Sequence, residues 1–172
     1  MSSPFRLEPL SDLHDRSSFG CGQEALDRYL QSQATQDNRR RIASCFVAVE
    51  AETGSIAAYY TIASASISTP ALPPEITKRL PRYPTIPAVR IGRLAVDLRF
   101  RGRGLGGALL ADALRWVIGL PAAGFAFFVD AEDDQAAAFY RHHGFVALAS
   151  LPRTLFISVA TAGKAMLRGG GA

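Results

Sequence analysis

The sequence predicts a single α/β domain with a mixed β-sheet flanked by helices, and three observations favour it. Strand-like and helix-like segments alternate along the 172 residues, and a hairpin of two strands precedes the alternating part. The length is that of one domain, and 48% of the residues are apolar, enough for a substantial core. No apolar run reaches the roughly 18 residues that a membrane span needs. We therefore expect one domain over residues 1–168, a flexible tail at 169–172 and no membrane contact.

The first part of the chain is predicted to hold a strand, a helix and a hairpin. Residues Phe5–Leu10 fit a short strand, and residues 22–40 carry apolar side chains at helical spacing. Two further strands are expected at Ala43–Glu50 and Ser55–Ser64. Between them, Glu52-Thr53-Gly54 is typical of a hairpin turn. These elements are the expected start of the sheet.

The second part begins with a proline-rich loop at Thr69–Pro87, in which one helical turn is expected at Pro74–Leu80. A helix is expected at Asp134–His143, and Gly144 is expected to end it, because glycine readily takes the left-handed conformation found at helix C-termini. Asp133 or Asp134 is expected to cap the start of that helix. The remaining expected elements are strands at Ala88–Val96, Phe125–Ala131, Val146–Leu151 and Thr154–Ser158, and helices at Gly104–Ile118, Asp134–His143 and Ala160–Leu167.

Composition restricts the class of partner. The net charge is +4, and 17 of the 19 basic residues are arginine, whose planar fork of donors suits phosphate groups. Nucleic acid or an anionic cofactor is therefore an expected partner. Cys21 and Cys45 have no metal-ligand spacing and form no disulfide framework, which favours a reducing, cytoplasmic location. No metal is expected.

Glycines and arginines are concentrated between a predicted strand and a predicted helix. Glycine allows a positive φ and a close approach of the backbone to a ligand, and the first turn of a helix has free N–H donors. Together these features predict a phosphate site, to which arginine adds charge-assisted contacts. The residues that form this pattern are Arg101, Gly102, Arg103, Gly104, Leu105, Gly106 and Gly107.

Three phosphate motifs are compared with this segment. A P-loop is excluded, because no Lys-Ser or Lys-Thr pair follows the glycines. Gly102, Gly104 and Gly107 formally spell the dinucleotide fingerprint GxGxxG, with Asp130 at a suitable distance for a ribose. Only about 40 residues follow Asp130, too few for a second nucleotide-binding half and a substrate domain. The dinucleotide reading is therefore the weaker one.

The third motif is (Q/R)-x-x-G-x-(G/A), which residues 101–106 match. With the preceding strand RIGRLAV and the later segment AFYRHHGF, the chain resembles the GCN5-related N-acetyltransferase (GNAT) family. The resemblance implies a GNAT domain that uses acetyl-CoA as acetyl donor. It also implies that the loop amides hold the pyrophosphate and that a strand edge pairs with the pantetheine arm. The implied acetyl-CoA residues are Leu94, Ala95, Val96, Phe139 and the residues from Arg101 to Gly107.

A narrower resemblance involves the opening of the chain. The segments Ser18–Gly22, Leu26–Leu30 and Gln33–Asp37, taken with Gly92–Asp97 and Phe139–Phe145, resemble the GNAT toxins of bacterial toxin–antitoxin pairs. This implies acetylation of the amino group of the amino acid on charged tRNA, which blocks translation. It also implies a ribbon-helix-helix antitoxin and a homodimer.

The chemistry is consistent with the residues. The attacking amine must be neutral, and an α-amino group has a pKa of only roughly 7.7–8.0, so no strong base is needed. A backbone N–H near Val96 is the expected donor to the oxyanion. Tyr140 is the expected general acid for the leaving thiolate, although the same residue also fits an aromatic core. His142 and His143 are expected to be structural, and Asp97 to cap or orient the loop.

Basic residues are expected to contact tRNA. Regular alternation along a strand puts Arg90 and Arg93 on opposite faces, so the two cannot line one groove unless a bulge intervenes. Two other functions fit the same motifs: acetylation of a small amine or a protein N-terminus, and a catalytically silent acyl-CoA-binding module. The expected tRNA-binding residues are Arg39, Arg40, Arg41, Lys78, Arg79, Arg90 and Arg93.

Overall fold

The fold is described from a computed structural model, which covers residues 3–120 and 124–169, with side chains as far as residue 165. The strands over these ranges are β1 Phe5–Pro9, β2 Ser44–Glu50, β3 Ile56–Ser68, β4 Thr85–Val96, β5 Ala126–Asp130, β6 Val146–Leu148 and β7 Leu151–Ser158. The helices are α1 Glu24–Ser32, α2 Ala34–Arg39, α3 Pro74–Thr77, α4 Leu105–Gly119, α5 Asp134–His142 and α6 Val159–Gly169.

The strands are hydrogen-bonded in the order β1-β2-β3-β4-β5-β7-β6. Strands β4 and β5 run parallel, whereas β1–β2, β2–β3, β5–β7 and β6–β7 are antiparallel pairs. This arrangement confirms the predicted mixed sheet. None of the helices in the described part of the chain is long and apolar enough to cross a membrane.

The described residues form two compact units. The first combines the chain up to Ala63 with Gly92–Ala113, and the second combines Ser64–Ile91 with the described residues from Leu114 onward. The glycine-rich segment belongs to the first unit, and Tyr140 belongs to the second. Each unit has its own core.

The core of the first unit lies between α1 and the strands. Leu26, Tyr29 and Leu30 form the apolar stripe of α1 and pack with Val47 and Tyr59. Burying a side chain such as that of Leu30 stabilises the fold by about 1.5–3 kcal/mol. The Tyr59 hydroxyl donates a hydrogen bond to the Leu26 carbonyl at 2.7 Å, which fixes α1 on β3. Helix α1 is therefore held firmly, and the residues that precede it, Ser18–Gly22, are called the opening segment below.

The core of the second unit contains β5 and its neighbours. Ala88 and Ala126 are paired across β4 and β5, and Phe128 and Phe156 are paired across β5 and β7. All four are buried, together with Ile86. The parallel register of β4 and β5 runs from Ala88 to Ile91.

Local signals were mostly sufficient to predict the turns and helix ends. Gly54, with φ 73°, closes the predicted hairpin, and its N–H donates to the Glu50 carbonyl at 2.9 Å. The single helical turn in the proline-rich loop is confirmed as α3. Asp133 is the residue that caps α5, accepting a hydrogen bond from the Ala136 N–H at 2.7 Å.

The predicted helix over residues 22–40 is wrong in its extent, because Gln33 separates α1 from α2 with φ −120° and ψ −30°. Strand β3 reaches Ser68, four residues past the expected end, and β4 starts at Thr85, within the expected loop. Helix α6 extends to Gly169. The other residues of the expected tail, 170–172, lie outside the described residues.

Candidate active site

The glycine-rich segment connects β4 to α4 through a tight loop. After a 3₁₀ turn at Leu98–Phe100, Gly102 and Gly104 adopt φ 78° and 75°, a left-handed conformation that favours glycine. The first helical hydrogen bond runs from the Ala108 N–H to the Gly104 carbonyl at 3.1 Å. The N–H groups of Leu105, Gly106 and Gly107 therefore precede the helical ladder and have no acceptor within the helix.

Space beside this loop is open. A Cβ placed on Gly102 or Gly104 meets no atom of the described residues within 4 Å. Arg103 is exposed, its guanidinium carbon lies 5.5 Å from the ring centroid of Phe100, and it forms no ion pair within the described ranges. An anion at this helix start would thus meet free N–H donors and an available cation.

Arg101 has a contact that the sequence did not predict. Its Nη2 donates a hydrogen bond to the backbone carbonyl of Cys21 at 2.8 Å. Gly22, with φ 92°, lies beside the Arg101 guanidinium, and a Cβ there would be 3.7 Å from Nη2. Arg101 therefore joins the glycine-rich loop to the opening segment, and the only sequence signal for this contact was the pair of glycines around Cys21.

Asp97 fixes the same two segments. Its carboxylate is 1% exposed and accepts hydrogen bonds from the Gly20 N–H at 2.9 Å and the Arg99 N–H at 2.8 Å. Arg99 Nε also donates to it at 3.0 Å. Burial alone would raise the pKa of Asp97, but the hydrogen bonds from Arg99 and Gly20 outweigh burial and keep the pKa below its usual value. Asp97 thus caps the 3₁₀ turn as predicted, and remains ionised.

Strand β4 is longer than its pairing with β5. The ladder to β5 ends at the pair Ile91↔Val129, whereas β4 continues to Val96. Ala95 is buried in the first core, and Leu94 and Val96 are half-buried. Backbone groups at a strand edge can pair with an extended, amide-containing ligand.

Strand β4 departs from regular alternation at Gly92 and Arg93. A Cβ on Gly92 would lie 2.8 Å from Oγ1 of Thr61, and the Arg93 guanidinium carbon lies 3.5 Å from the ring centroid of Tyr29. Tyr29 stacks on Tyr59, which shares a face of β3 with Thr61. Two consecutive residues of β4 therefore approach the same face of β3, an irregularity of the kind that the alternation argument for Arg90 and Arg93 named as its exception.

Tyr140 is positioned by the end of α5. Gly144 has φ 95°, its N–H donates to the Arg141 carbonyl at 3.0 Å, and the Phe145 N–H donates to the Tyr140 carbonyl at 3.1 Å. These bonds form a Schellman motif, which explains the glycine of AFYRHHGF. The ring centroids of Tyr140 and Phe145 are 5.5 Å apart, the apolar contact that accompanies this motif.

The Tyr140 side chain is buried, with 5% exposed. Burial raises its pKa above the usual value, and the charge of Glu132 adds to the increase. Its ring also packs edge-on against Phe139, with centroids 5.1 Å apart. Among the described residues, Tyr29, Tyr59 and Tyr60 donate their hydroxyls to protein acceptors, whereas no such bond involves the Tyr140 hydroxyl. The phenol of Tyr140 thus has no acceptor among the described residues.

The two histidines lie at the end of the same helix. His143 packs edge-on against Phe139, with centroids 4.7 Å apart, and His142 is its neighbour at 5.2 Å. Partial burial lowers the pKa of His143, and His142 lowers it further. Near neutral pH the His143 imidazole is therefore mainly uncharged.

The acidic residues around β5 have structural contacts. Asp130 accepts a hydrogen bond from the Thr154 hydroxyl at 2.6 Å, and Asp134 forms an exposed ion pair with Arg153 at 3.4 Å. No group of three or more metal-ligating side chains occurs within residues 3–120 and 124–169.

The basic residues expected at tRNA are mostly exposed. In the first unit, Arg39 forms an ion pair with Asp12 at 3.2 Å, and Arg93 is half-buried on Tyr29. Arg41 has φ 58°, a left-handed conformation unusual for a residue with a side chain. The exposed members of the set are Arg39, Arg40 and Arg41 in the first unit and Lys78, Arg79 and Arg90 in the second.

The fold and the glycine loop are those of an acyltransferase of the GNAT type. Residues 41–147 match the family model described as an acetyltransferase (GNAT) domain, and the chain belongs to this family. It is 36% identical over 84% of its length to the tRNA-acetylating toxin of Mycobacterium tuberculosis, and covers 84% of that protein. It is 30% identical over 90% of its length to the probable toxin TacT of Sinorhizobium fredii, covering 91% of it.

Solved structures show the same similarity. AtaT complexed with acetyl-methionyl-tRNAfMet matches 94% of the chain and 99% of its own length, with a TM-score of 0.86 and 28% identity. A tyrosine-to-phenylalanine mutant of the AtaT toxin, bound to the C-terminus of the antitoxin AtaR and acetyl-CoA, matches with a TM-score of 0.76 and 25% identity. That match covers 92% of the chain and 96% of the AtaT structure.

Proposed function

We propose that the protein is an acetyl-CoA-dependent N-acetyltransferase that acetylates the amino group of the amino acid on charged tRNA, and that it acts as a toxin by blocking translation. The observation that carries this proposal is the open glycine loop at the start of α4 in a chain 36% identical to a tRNA-acetylating toxin. Small-molecule amines and protein N-termini are the alternative acceptors, and the test below separates them.

Acetyl-CoA is proposed to bind along the end of β4 and the start of α4. The free N–H groups of the loop and the guanidinium of Arg103 suit a pyrophosphate, and the unpaired edge of β4 suits the pantetheine amides. The proposed residues are Leu94, Ala95, Val96, Arg101, Gly102, Arg103, Gly104, Leu105, Gly106, Gly107 and Phe139. Arg101 is proposed to act mainly by positioning, because its guanidinium is bonded to the Cys21 carbonyl.

The proposed reaction is a direct transfer. The neutral amine attacks the thioester carbonyl, a C–N bond forms, and the negative charge on the carbonyl oxygen is stabilised by a backbone N–H near Val96. As the C–S bond breaks, Tyr140 donates its phenolic proton to the leaving sulfur. The proton lost from the attacking nitrogen restores the phenol through solvent. The position of Tyr140 at the end of α5, with no acceptor for its hydroxyl among the described residues, supports this role.

The tRNA is proposed to be bound by the exposed basic residues. Arg39 ends α2 in the first unit, and Arg40 and Arg41 follow it. Lys78, Arg79 and Arg90 are exposed in the second unit. Arg93 completes the proposed set, although its stacking on Tyr29 gives it a structural task as well. Phosphate contacts of this kind make binding weaken steeply with salt. A ribbon-helix-helix antitoxin, a homodimeric state and a cytoplasmic location are proposed on the resemblance to toxins of antitoxin pairs.

The test is to incubate the purified protein with labelled acetyl-CoA and total charged tRNA. We expect label on the aminoacyl group, released when the ester bond to the tRNA is hydrolysed at mild alkaline pH. Label that appears only on added small amines or on protein N-termini would replace the proposed acceptor. Binding of acetyl-CoA without any transfer would indicate a silent acyl-CoA-binding module.

A further inference from the structure

Tyr83 is an exposed aromatic residue in the loop between α3 and β4. Its side chain is 63% exposed, and no ring contact or hydroxyl bond joins it to other residues in the described part of the chain. A partner that covers this ring would remove its apolar face from water, which is favourable. Nothing in the proposed catalytic machinery uses this residue.

The backbone beneath the ring is firmly held. The Tyr83 N–H donates to the Pro81 carbonyl at 2.8 Å, and the Tyr83 carbonyl accepts a hydrogen bond from the Thr69 hydroxyl at 2.5 Å. The Thr69 N–H donates to the Pro84 carbonyl at 3.0 Å. Two prolines and three hydrogen bonds thus fix both sides of the residue, so ordering the loop on binding costs little conformational entropy.

Three basic residues lie within the five positions that precede Tyr83 in the same loop. Lys78, Arg79 and Arg82 are all exposed, and none of them forms an ion pair within the described ranges. The segment from Lys78 to Tyr83 has three basic residues and no acidic one, so its charge is +3 at neutral pH; the nearest preceding acidic residue, Glu75, lies in α3. An aromatic ring next to unpaired cations is the arrangement with which proteins bind single-stranded nucleic acid.

We propose that Tyr83 stacks on an unpaired base of the RNA substrate, with Lys78, Arg79 and Arg82 on the neighbouring phosphates. The proposal rests on the proposed function, because the amino acid of a charged tRNA is attached to a single-stranded 3′ end. Stacking uses the face of the ring and is tolerant of base identity, so this contact adds affinity without choosing the tRNA species. An acidic segment of a protein partner is the competing occupant.

The test measures binding of charged tRNA by fluorescence anisotropy at fixed salt for the wild type, Tyr83→Ala and Tyr83→Phe. We expect Tyr83→Ala to weaken binding by about 5- to 150-fold, and Tyr83→Phe to stay within about twofold of the wild type. The dependence of log Kd on log salt keeps its slope in Tyr83→Ala, whereas Arg79→Ala lowers the slope by about 1. Because Tyr83 is exposed, all variants should unfold at the wild-type temperature.

A second substrate locates the contact. Uncharged tRNA without its unpaired 3′ nucleotides should bind the wild type and Tyr83→Ala equally, because the base that stacks is missing. Uncharged full-length tRNA is the matched ligand and should still bind the wild type more tightly than Tyr83→Ala. Equal binding of full-length tRNA by wild type and Tyr83→Ala overturns the proposal. The proposal is also overturned if Tyr83→Ala weakens binding of the truncated tRNA as much as that of the full-length tRNA. A loss confined to binding of the antitoxin assigns the ring to that protein instead.

The two proposals fail separately. If the wild type transfers no acetyl group to charged tRNA but Tyr83→Ala still weakens binding of RNA, the proposed function is wrong and the stacking site stands. If acetylation is normal and Tyr83→Ala changes neither Kd nor KM, the stacking site is wrong and the proposed function stands.

Discussion

The Asp97 carboxylate accepts a hydrogen bond from the backbone N–H of Gly20 at 2.9 Å, across 77 positions of the chain. With the bonds from Arg99, this contact fixes the opening segment to the end of β4. Hydrogen bonds to a buried charged group are each worth about 1.5–3 kcal/mol. The carboxylate therefore supports both the fold and the shape of the glycine loop.

The first prediction concerns the stability of Asp97→Asn. We expect the free energy of unfolding to fall by about 2 kcal/mol. In the variant, the NH₂ group of the asparagine replaces one carboxylate oxygen, and it faces N–H donors to which it cannot bond. The folded pKa of Asp97 is lowered, so its contribution is complete above the unfolded pKa of about 3.9 and is lost as the pH falls through the folded pKa. Urea unfolding at several pH values checks this. The difference in the free energy of unfolding between wild type and variant should become smaller at acid pH. The matched control is Asp134→Asn, whose side chain is 93% exposed and which should change stability by less than about 0.5 kcal/mol.

The second prediction uses the close contact of Gly92 with Thr61. A Cβ on Gly92 would lie 2.8 Å from Thr61 Oγ1, so Gly92→Ala should destabilise the protein by about 1–3 kcal/mol. Thr61→Ala removes the hydroxyl, and the double variant should recover at least about 1 kcal/mol relative to the sum of the single effects. Because Thr61 Oγ1 is buried and has no hydrogen-bond partner among the described residues, Thr61→Val should be close to neutral. Additive effects in this double-mutant cycle would show that the two residues do not touch.

The third prediction concerns the glycine loop. Gly104→Ala forces a side chain into φ 75°, which costs about 1–2 kcal/mol, and we expect acetyl-CoA binding to weaken by about tenfold as the loop shifts. Calorimetric titration with acetyl-CoA measures this. Gly119→Ala is the matched control, because it adds the same methyl at a helical glycine with open space and no positive φ. Equal affinities for the two variants would remove the loop from the acetyl-CoA site.

The fourth prediction concerns Tyr140. Tyr140→Phe keeps the ring packing and removes the acidic proton, so kcat should fall by about 10²- to 10⁴-fold while the affinity for acetyl-CoA is retained. Since burial raises the pKa of Tyr140, the wild-type phenol stays protonated and should not cause a loss of kcat in mildly alkaline solution.

Tyr60→Phe is the control for this experiment. It also removes a phenolic hydroxyl, the one that donates to Asp112 at 2.6 Å, and it should cost about 1 kcal/mol of stability with kcat nearly unchanged. A wild-type kcat in Tyr140→Phe would mean that the thiolate leaves with a proton from another source.

A structural feature could be predicted from the sequence when neighbouring residues in the chain cause it. The hairpin glycine, the cap at Asp133 and the helix end at Gly144 follow from the chemistry of a few neighbouring residues, and the structure confirms them. The glycine loop could be predicted in the same way, since its φ angles depend on its own residues.

The features that were missed depend on distant partners. The bond from Arg101 to Cys21 joins residues 80 positions apart, and the departure of β4 from alternation at Gly92 becomes visible only beside Thr61 and Tyr29. The break at Gln33 was hidden because apolar spacing continues across it to Ala34, which is buried in the same core. Periodicity reports which residues are buried and not whether the helix is continuous.

The helix end at Gly144 has a genetic consequence. If production of the protein arrests growth, bacteria that survive it carry inactivating substitutions, and these should extend beyond Tyr140 itself. Any side chain at Gly144 is strained at φ 95°, and loss of the Phe145 ring removes the packing that holds the phenol. Exposed positions on the same helix, such as Gln135 and Ala138, should be absent from the survivors. Inactivating substitutions should thus occur at Gly144 and Phe145, which hold the reactive residue in place, as well as at Tyr140.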